Sequence, residues 1–268
     1  MSAAACEGPL LLEAQGVSRR FGGLVAVDAV DLAVRRGSVH GLIGPNGAGK
    51  TTLLNLIAGV YRVSSGALRF GARDITRCST AKRARAGIRR TFQNLKLFGE
   101  MTALENVAIG VHAETRGGFF DAVLRTPRHR REQCAILDRS MAALHFVGLA
   151  GLAEVRAGAL AYGHRRLLEI ARAFVARPAL LLLDEPAAGL NVTEAAHVSR
   201  LISDIRAAGT TVILVEHHMD VVMRVSDEIT VLNYGRRLAR GTPAQIQDDP
   251  QVVEAYLGRP VEVERAQA

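Results

Sequence analysis

One short run of residues constrains the fold of this chain more than any other. It reads Gly44-Pro45-Asn46-Gly47-Ala48-Gly49-Lys50-Thr51-Thr52, follows the apolar segment 39–43 and precedes the helix-like segment 53–58. Its spacing fits the pattern G-x-x-x-x-G-K-[ST]. Glycines permit positive φ and close approach to a ligand, so that successive N–H groups converge on phosphate oxygens at a helix N-terminus. The run therefore predicts a strand, a phosphate-binding loop and a helix.

Each residue type in this loop has an expected task. Lys50 should reach the β- and γ-phosphates of a nucleotide, and the Thr51 hydroxyl should ligate Mg²⁺. Thr52 should support the start of the helix. The alternative is a fortuitous glycine-rich turn, but the strand before it and the helix after it favour nucleotide binding. The other expected binding residues are Gly44, Pro45, Asn46, Gly47, Ala48 and Gly49.

Composition excludes several classes of protein. The 268 residues suffice for one domain with a sizeable subdomain. With no Trp, four Tyr and eight Phe, no aromatic platform for nucleic acid stands out. The three cysteines predict neither a disulfide framework nor a zinc site. Apolar runs are too short to span a bilayer and a signal-peptide pattern is absent, so we expect a soluble, cytosolic protein.

The net charge of +8 is concentrated in two basic segments, 82–90 and 125–131. We expect both to be solvated helix faces and helix ends. The functional alternative is attraction to an anionic membrane surface, and nucleic acid would be attracted by the same charge.

The residue patterns along the chain predict an α/β core with an inserted helical subdomain. Residues 10–36 suit antiparallel strands, 67–70 another strand, and a basic helical segment should run to about Arg90. From about 95 to 160 the pattern is helical. There, Thr102 and Glu105 predict a capping box, and Thr126-Pro127 a second helix start.

The pattern of alternating helices and strands resumes at Gly163. It contains a helical stretch over 167–176, a helix over 192–207 and a hairpin around Tyr234-Gly235. A polar tail with weak helical signals follows from residue 242.

Two buried strands end in polar residues, which is where an open α/β sheet places its ligand. Asp184 and Glu185 follow one strand; the first can hold Mg²⁺ and the second can polarise a water in line with the γ-phosphate. His217 follows the other strand and could contact that phosphate, and Gln93 could contact the water or the metal. We assign Glu216 and His218 structural roles.

Two further features have functional and structural interpretations. Phe21 could stack on adenine or could be a core aromatic. Residues 160–164 precede a helix and provide a second small-residue helix N-terminus suited to anions. Since the chain already supplies one such helix end to its own nucleotide, the second would bind the nucleotide of a partner subunit.

These motifs occur in the order found in ABC-type ATPase cassettes, and the chain resembles one along nearly its whole length. By that likeness Phe21 matches the adenine-stacking aromatic, and Gln93 and His217 match the Q-loop and the switch histidine. Gly44 to Thr52 then match Walker A, Asp184 and Glu185 match Walker B with its catalytic glutamate, and Ala161, Tyr162 and Gly163 lie where the signature loop would be.

A closer likeness is to the ATP-binding subunit of branched-chain amino acid importers, the LivG type. It is carried by 90–98, 124–127, 160–163, 184–191, 215–217 and 255–258. Two departures from the general signature, Ala161 and Tyr162, are usual in that group, as is Asn191 in place of the common aspartate. His164 in place of glutamine is not.

The resemblance implies a P-loop NTPase fold: a RecA-like core over about 10–94 and 161–241, an antiparallel β subdomain, and a helical subdomain over about 95–160. Residues 10–258 would form one ABC ATPase domain, with 242–268 as a C-terminal tail. The cofactors would be ATP and Mg²⁺, and Glu185, His217 and Gln93 the catalytic residues. Mg²⁺ would be held by Thr51, Gln93 and Asp184.

The implied partners are a second ABC ATPase subunit, transmembrane permease subunits and, indirectly, a periplasmic or extracellular substrate-binding protein, but no nucleic acid. The second cassette would be related but different, with a homodimer as the alternative. The site of action would be the cytoplasmic face of the inner membrane, with peripheral attachment.

Other functions stay open at this point. Within transport, the alternatives are a urea importer or a lipopolysaccharide exporter type. A nucleic-acid-associated ATPase is disfavoured because only 67 residues separate Gln93 from Ala161, too few for a long coiled-coil insert. A non-hydrolysing, nucleotide-dependent interaction module is disfavoured by the intact Lys50, Asp184, Glu185 and His217.

Overall fold

Two β-sheets organise the structure, a computed structural model that describes residues 8–91, 96–111 and 127–257. In chain order the strands are β1 (Leu10–Phe21), β2 (Leu24–Arg35), β3 (Val39–Ile43), β4 (Ser65–Phe70), β5 (Arg73–Asp74), β6 (Ile88–Arg90), β7 (Leu180–Asp184), β8 (Thr211–Val215), β9 (Glu228–Asn233) and β10 (Arg236–Gly241). A four-stranded antiparallel sheet has the order β2-β1-β4-β5. A six-stranded sheet has the order β10-β9-β3-β8-β7-β6 and is parallel except for β10. The α/β prediction with an antiparallel subdomain is confirmed.

Helices cover both faces of the mixed sheet. They are α1 (Lys50–Ala58), α2 (Thr80–Arg85), α3 (Ala103–Ile109), α4 (Pro127–Phe146), α5 (Tyr162–Phe174), α6 (Val192–Ala207), α7 (Met219–Val225), α8 (Pro243–Gln247) and α9 (Pro250–Leu257). The predicted helix over 192–207 matches α6, whereas α5 begins five residues before the predicted stretch. No helix within the described ranges combines the length and the apolar character that a bilayer crossing requires.

Strand β7 shows how the central sheet separates two cores. All five of its residues are buried. Because side chains alternate along a strand, Leu180 and Leu182 pack with α1 and the antiparallel sheet, while Leu181 and Leu183 pack with the helices on the opposite face. The strand therefore has no solvent face, and only its carboxyl end opens to ligands.

The basic segment 82–90 differs from its prediction in two ways. The helix ends at Arg85, Gly87 has a φ of +100°, and Ile88–Arg90 forms the strand β6 parallel to β7, so the prediction of a helix to Arg90 is wrong. Arg83 is 1% exposed and donates to the carbonyls of Leu56 and Ile57. It is not part of a solvated face, because it donates to carbonyls in the last turn of α1, where few helical N–H partners remain.

The helical region contains the predicted capping box. The Thr102 hydroxyl accepts from the Glu105 backbone N–H at 3.1 Å, and the Glu105 carboxylate accepts from the Thr102 N–H at 2.8 Å. The second predicted helix start lies partly outside the described residues, since the structure describes Pro127 but not Thr126.

The segment predicted as a polar tail belongs to the fold as far as residue 257. In α8 and α9, Ile246 is 2% exposed and Val252 is 5% exposed. Both join a cluster that includes Ile229 of β9 and Val222 of α7. The C-terminal helices are thus packed against the edge of the mixed sheet.

Candidate functional site

The glycines of the phosphate loop are required by their positive φ and, at Gly44 and Gly49, also by the space around them. Gly44, Gly47 and Gly49 have φ values of 147°, 79° and 98°. A Cβ at Gly44 would lie 2.1 Å from the carbonyl oxygen of Leu232, and one at Gly49 would lie 2.5 Å from that of Ala26. Only glycine fits this backbone, which turns sharply from the buried strand β3 into α1.

Lys50, the first residue of α1, folds back over this loop. Its Nζ donates to the carbonyl of Gly44 at 2.6 Å and to that of Pro45 at 2.9 Å, and the residue is 8% exposed. Burial lowers the pKa of Lys50, while the nearby Glu185 and Asp184 carboxylates raise it. The ammonium group is therefore held within the curve of the loop, facing acidic groups.

A cavity of about 520 Å³ lies over the loop. This volume is typical of small-molecule sites. Its lining consists of residues 24–26, 46–52, Glu185, Tyr234 and Gly235. A larger cavity, about 680 Å³, lies on the outer side of the same loop and is lined by the β9–β10 turn and α9. The smaller one is the better candidate, because it combines Lys50 and Thr51 with a carboxylate from the end of β7.

Asp184 ends β7 and is fully buried. Its Oδ2 accepts from Nη2 of Arg90 at 2.7 Å, whereas Oδ1 has no hydrogen-bond partner among the residues that the structure describes. Burial raises the pKa of Asp184, and the Arg90 guanidinium opposes that rise. A buried carboxylate oxygen without a partner, on an acid that interacts with Lys50 of the phosphate loop, fits a hard cation such as Mg²⁺. Asp184 is therefore suited to hold that ion, and the Thr51 hydroxyl lies in the wall of the cavity over the loop.

Arg90 is a site residue that sequence reasoning missed. Besides its bond to Asp184, it donates through Nη1 to the side-chain oxygen of Asn55 on α1. One guanidinium thus links the phosphate-loop helix to the carboxylate at the end of β7. The usable signal was its position at the end of an edge strand, but the sequence predicted a helix there.

Glu185 follows Asp184 with an unusual backbone. Its φ is +50°, and its N–H donates to the carbonyl of Val215 at 2.8 Å. Non-glycine residues adopt positive φ at a cost, and such residues cluster at functional sites. The result is a half-buried side chain in the wall of the loop's cavity. It is suited to act as a base toward a water molecule near the loop.

His217 lies on the neighbouring strand end, beyond β8. Its side chain is 52% exposed, and Nδ1 is 3.9 Å from Oε2 of the buried Glu216. Its ring centroid lies 4.3 Å from that of His218. Because β7 and β8 pair with Asp184 opposite Val215, the structure brings the predicted acids and this histidine to the same edge of the sheet.

For two predicted site residues, Phe21 and Gln93, the described part of the structure shows no direct contact with the site. Phe21 is 37% exposed at the end of β1, with the Tyr61 ring 5.1 Å away edge-on and the Arg19 guanidinium 4.5 Å from its centroid. It is therefore a surface ring rather than a core aromatic, and adenine stacking stays a prediction. Gln93 lies outside the described residues.

The segment 161–164 forms the start of α5. Ala161 is its exposed N-cap residue and makes no side-chain capping bond, while the Tyr162 hydroxyl donates to the carbonyl of Ala188 at 3.2 Å. Gly163 is buried, and a Cβ there would lie 2.5 Å from Oε1 of Glu194. His164 is exposed. A helix thus starts at the surface in this segment, and its role as an anion site stays a prediction.

Comparisons with known proteins agree with this geometry. The family model described as ABC transporter matches residues 27–188, and one described as branched-chain amino acid ATP-binding cassette transporter matches residues 236–262. The chain is 45% identical over 249 residues to the high-affinity branched-chain amino acid transport ATP-binding protein LivG of Salmonella typhimurium, covering 92% of this chain and 98% of that protein.

A second relative is the high-affinity branched-chain amino acid transport ATP-binding protein BraF of Pseudomonas aeruginosa, with 45% identity over 92% of this chain and 98% of its own length. Among solved structures, a nucleotide-free ATP-binding cassette from an ABC transporter matches with a TM-score of 0.82 and 31% identity. That match covers 93% of this chain and 100% of the solved one.

Proposed function

The chain belongs to the ABC transporter family of ATP-binding cassettes, and we propose that it hydrolyses ATP to power the import of branched-chain amino acids. The family is one of ATPases that drive transport, and this chain is of the importer type. The proposal of ATP hydrolysis rests on one observation. Lys50 and Thr51 of the phosphate loop line the same cavity as Glu185 at the end of β7.

Binding would use the loop as the structure has it. Backbone N–H groups of residues 46–52 would contact the phosphates, and Lys50 would exchange its bonds to the Gly44 and Pro45 carbonyls for bonds to the β- and γ-phosphates. Thr51, Asp184 and, by family likeness, Gln93 would hold Mg²⁺. When bound, this ion neutralises charge that develops on the transferred phosphoryl group.

Hydrolysis would depend on side chains at the carboxyl ends of β7 and β8. Glu185 would accept a proton from the water that attacks the γ-phosphorus, and the bond from that phosphorus to the bridging oxygen would break to leave ADP. His217 would donate a hydrogen bond to a γ-phosphate oxygen. Phe21 would stack on the adenine.

The second half of the site would come from another subunit. By family likeness, Ala161, Tyr162 and Gly163 would contact an ATP molecule bound to the phosphate loop of a second cassette, and that cassette would do the same in return. We propose a related but different partner, with a homodimer as the alternative. Exposure of Ala161 and Tyr162 supports this arrangement.

Transport would be coupled through the helical region that follows Gln93, which would receive cytoplasmic loops of the permease subunits. The protein would then act peripherally on the cytoplasmic face of the inner membrane and would depend indirectly on a substrate-binding protein. The cargo assignment is supported by the names of the relatives at 45% identity and by the family model that matches residues 236–262.

Glu185→Gln tests the catalytic proposal. The variant keeps the shape of the side chain but removes the base, so turnover should fall by roughly 100-fold or more. The ATP dissociation constant should stay within about threefold, because the phosphate loop is untouched. Near-normal turnover in this variant would remove Glu185 from the role of base, and absence of turnover in the parent protein would favour an interaction module.

Reconstitution tests the cargo. The chain, purified with the membrane subunits that bind it, is placed in proteoliposomes with ATP on the cassette side, and uptake of labelled leucine is measured. Leucine uptake that requires Glu185 supports the proposal. Coupling to urea or to lipopolysaccharide would assign one of the alternatives, and DNA- or RNA-stimulated hydrolysis would revive the nucleic-acid class.

A further inference from the structure

Glu216 follows β8 directly, and its side chain is fully buried. Its Oε1 accepts from the backbone N–H of Ala187 at 2.6 Å. Its Oε2 accepts from the N–H groups of His217 at 3.1 Å and His218 at 3.4 Å. The two oxygens of one carboxylate therefore hold two different loops, one beyond β7 and one beyond β8.

These two loops carry the proposed reactive side chains. Ala187 lies two residues after Glu185, and His217 is itself one of the donors. The β7–β8 ladder ends where Asp184 pairs with Val215, and the last backbone bond across it runs from Glu185 N–H to the Val215 carbonyl. Beyond that rung, the Glu216 carboxylate continues the connection between the strands.

Glutamate suits position 216 better than glutamine or aspartate would. Among the described residues, the hydrogen bonds to this carboxylate all come from backbone N–H groups, and such charge-assisted bonds are roughly twice as strong as neutral ones. A glutamine has one acceptor oxygen, and its NH₂ group would face a backbone donor in one of the two loops. An aspartate is shorter by one methylene and loses reach. A single buried carboxylate thus satisfies donors on both sides.

We propose that Glu216 is a positioning residue for ATP hydrolysis, which fixes the spacing between the Glu185 turn and the His217 turn. This inference rests on the proposed function. It also accounts for the stable positive φ of Glu185, because a strained residue persists only where its surroundings hold it. A γ-phosphate contact at His217 is then transmitted to the Glu185 turn through one side chain.

Glu216→Gln in the full-length protein is the primary test, and Asp227→Asn is its matched control. Asp227 also accepts a backbone N–H, that of Val39 at 2.8 Å, but at the opposite end of the mixed sheet, where it pairs with Arg206 at 2.9 Å. For Glu216→Gln we expect kcat to fall on the order of 10- to 100-fold, with KM and the ATP dissociation constant within about twofold.

Asp227→Asn should lower the melting temperature comparably and leave kcat unchanged. An unchanged kcat in Glu216→Gln, or an equal fall in Asp227→Asn, would overturn the inference. Glu216→Asp retains the charge and should show the same kcat loss at constant KM; it serves in place of the amide variant if that one does not fold.

A double-mutant cycle with Glu185→Gln, measured under single-turnover conditions, separates positioning from general stability. If Glu216 acts through the Glu185 turn, the double variant loses less than the product of the two single losses. Multiplicative losses would overturn the inference. Normal turnover in Glu185→Gln would defeat the proposed base whatever Glu216 does, whereas an inactive Glu185→Gln with a fully active Glu216→Gln would defeat only the role of Glu216.

Discussion

The phosphate loop and the start of α5 differ in how much of a binding site each provides. At the loop, Lys50 is 8% exposed, Gly44 and Gly49 have no space for a Cβ, and a carboxylate faces the same cavity. At α5, Ala161 and Tyr162 are exposed, and the N-cap residue makes no side-chain bond. The loop region has the enclosed shape of a binding site, whereas the start of α5 lies at the surface with few groups around it.

The difference concerns what each helix end can do alone. Both have backbone N–H groups that favour anions. At α1 the loop, Lys50 and the acids of β7 add shape, charge and a metal ligand around that end. At α5 the neighbours are Glu194 and the Ala188 carbonyl, which are acceptors and do not complete an anion site. The comparison therefore predicts that loop variants impair binding, whereas α5 variants impair only hydrolysis.

The largest effect is expected from Lys50→Ala. Removing the ammonium group eliminates charge-assisted bonds to two phosphates, so ATP affinity should fall by about 100-fold, measured by titration with a fluorescent ATP analogue. Lys82→Ala, an exposed lysine on α2, is the control and should bind ATP normally. An unchanged dissociation constant for Lys50→Ala would place the nucleotide elsewhere and remove the basis of the comparison.

Gly163→Val tests the other region. Its side chain would meet the Glu194 carboxylate, which caps α6, and would crowd the N–H groups at the start of α5. We expect turnover to fall at least about 10-fold while ATP affinity stays within about twofold. Gly151→Val is the control, since a Cβ at Gly151 meets no atom within 4 Å. Weakened ATP binding in Gly163→Val would mean that the two regions are not separable.

The sequence predicted the loop, the strand before it and the acids after β7 because those signals are local. A glycine pattern, an apolar run and a polar residue at its end stand next to each other in the chain. The links that hold the site together are not local. Arg90 and Asp184 are 94 positions apart, and Glu216 and Ala187 are 29 apart. Their pairing depends on which strands become neighbours in the sheet, which no short window reveals.

Two other differences between the sequence pattern and the structure have physical causes. The charge of segment 82–90 suggested a solvated helix, but Gly87 permits a positive φ that ends α2, and the following Ile88 joins the sheet. Helices α8 and α9 are only five and eight residues long, so their helical pattern is weak in the sequence. The burial of Ile246 and Val252 against the mixed sheet outweighs that weak pattern.

A smaller effect, on the Mg²⁺ requirement of the loop region, is expected from Arg90→Met. Without the guanidinium, burial would raise the pKa of Asp184 further, so less of the carboxylate would be ionised to bind Mg²⁺. We expect the Mg²⁺ concentration for half-maximal ATP hydrolysis to rise by roughly 10-fold, a shift worth about 1.4 kcal/mol. The neighbouring Arg89→Met, which loses a bond to the Ala84 carbonyl, should leave the requirement unchanged. Equal shifts in both variants would show that Arg90 has no specific role at Asp184.

The smallest effect on function is expected from His40→Gln, whose pH-dependent effect on stability appears only in acid. His40 lies in β3, 1% exposed, and burial lowers its pKa to about 4, although Glu228 opposes this and Arg240 adds to it. An unfolded chain therefore takes up a proton below pH 6.5 that the folded chain resists, so this contribution to stability is present above pH 6.5 and is lost as the pH falls toward 4.

The loss at pH 5 should be about 2 kcal/mol, measured as the change in the free energy of unfolding by urea. His40→Gln should flatten that part of the stability profile. His164→Gln, at the exposed start of α5, should leave the profile as steep as in the parent protein. If both variants had the parent's slope, the acid sensitivity would not arise in the strand that carries the phosphate loop, and the contrast between the two regions would be confined to ligand binding.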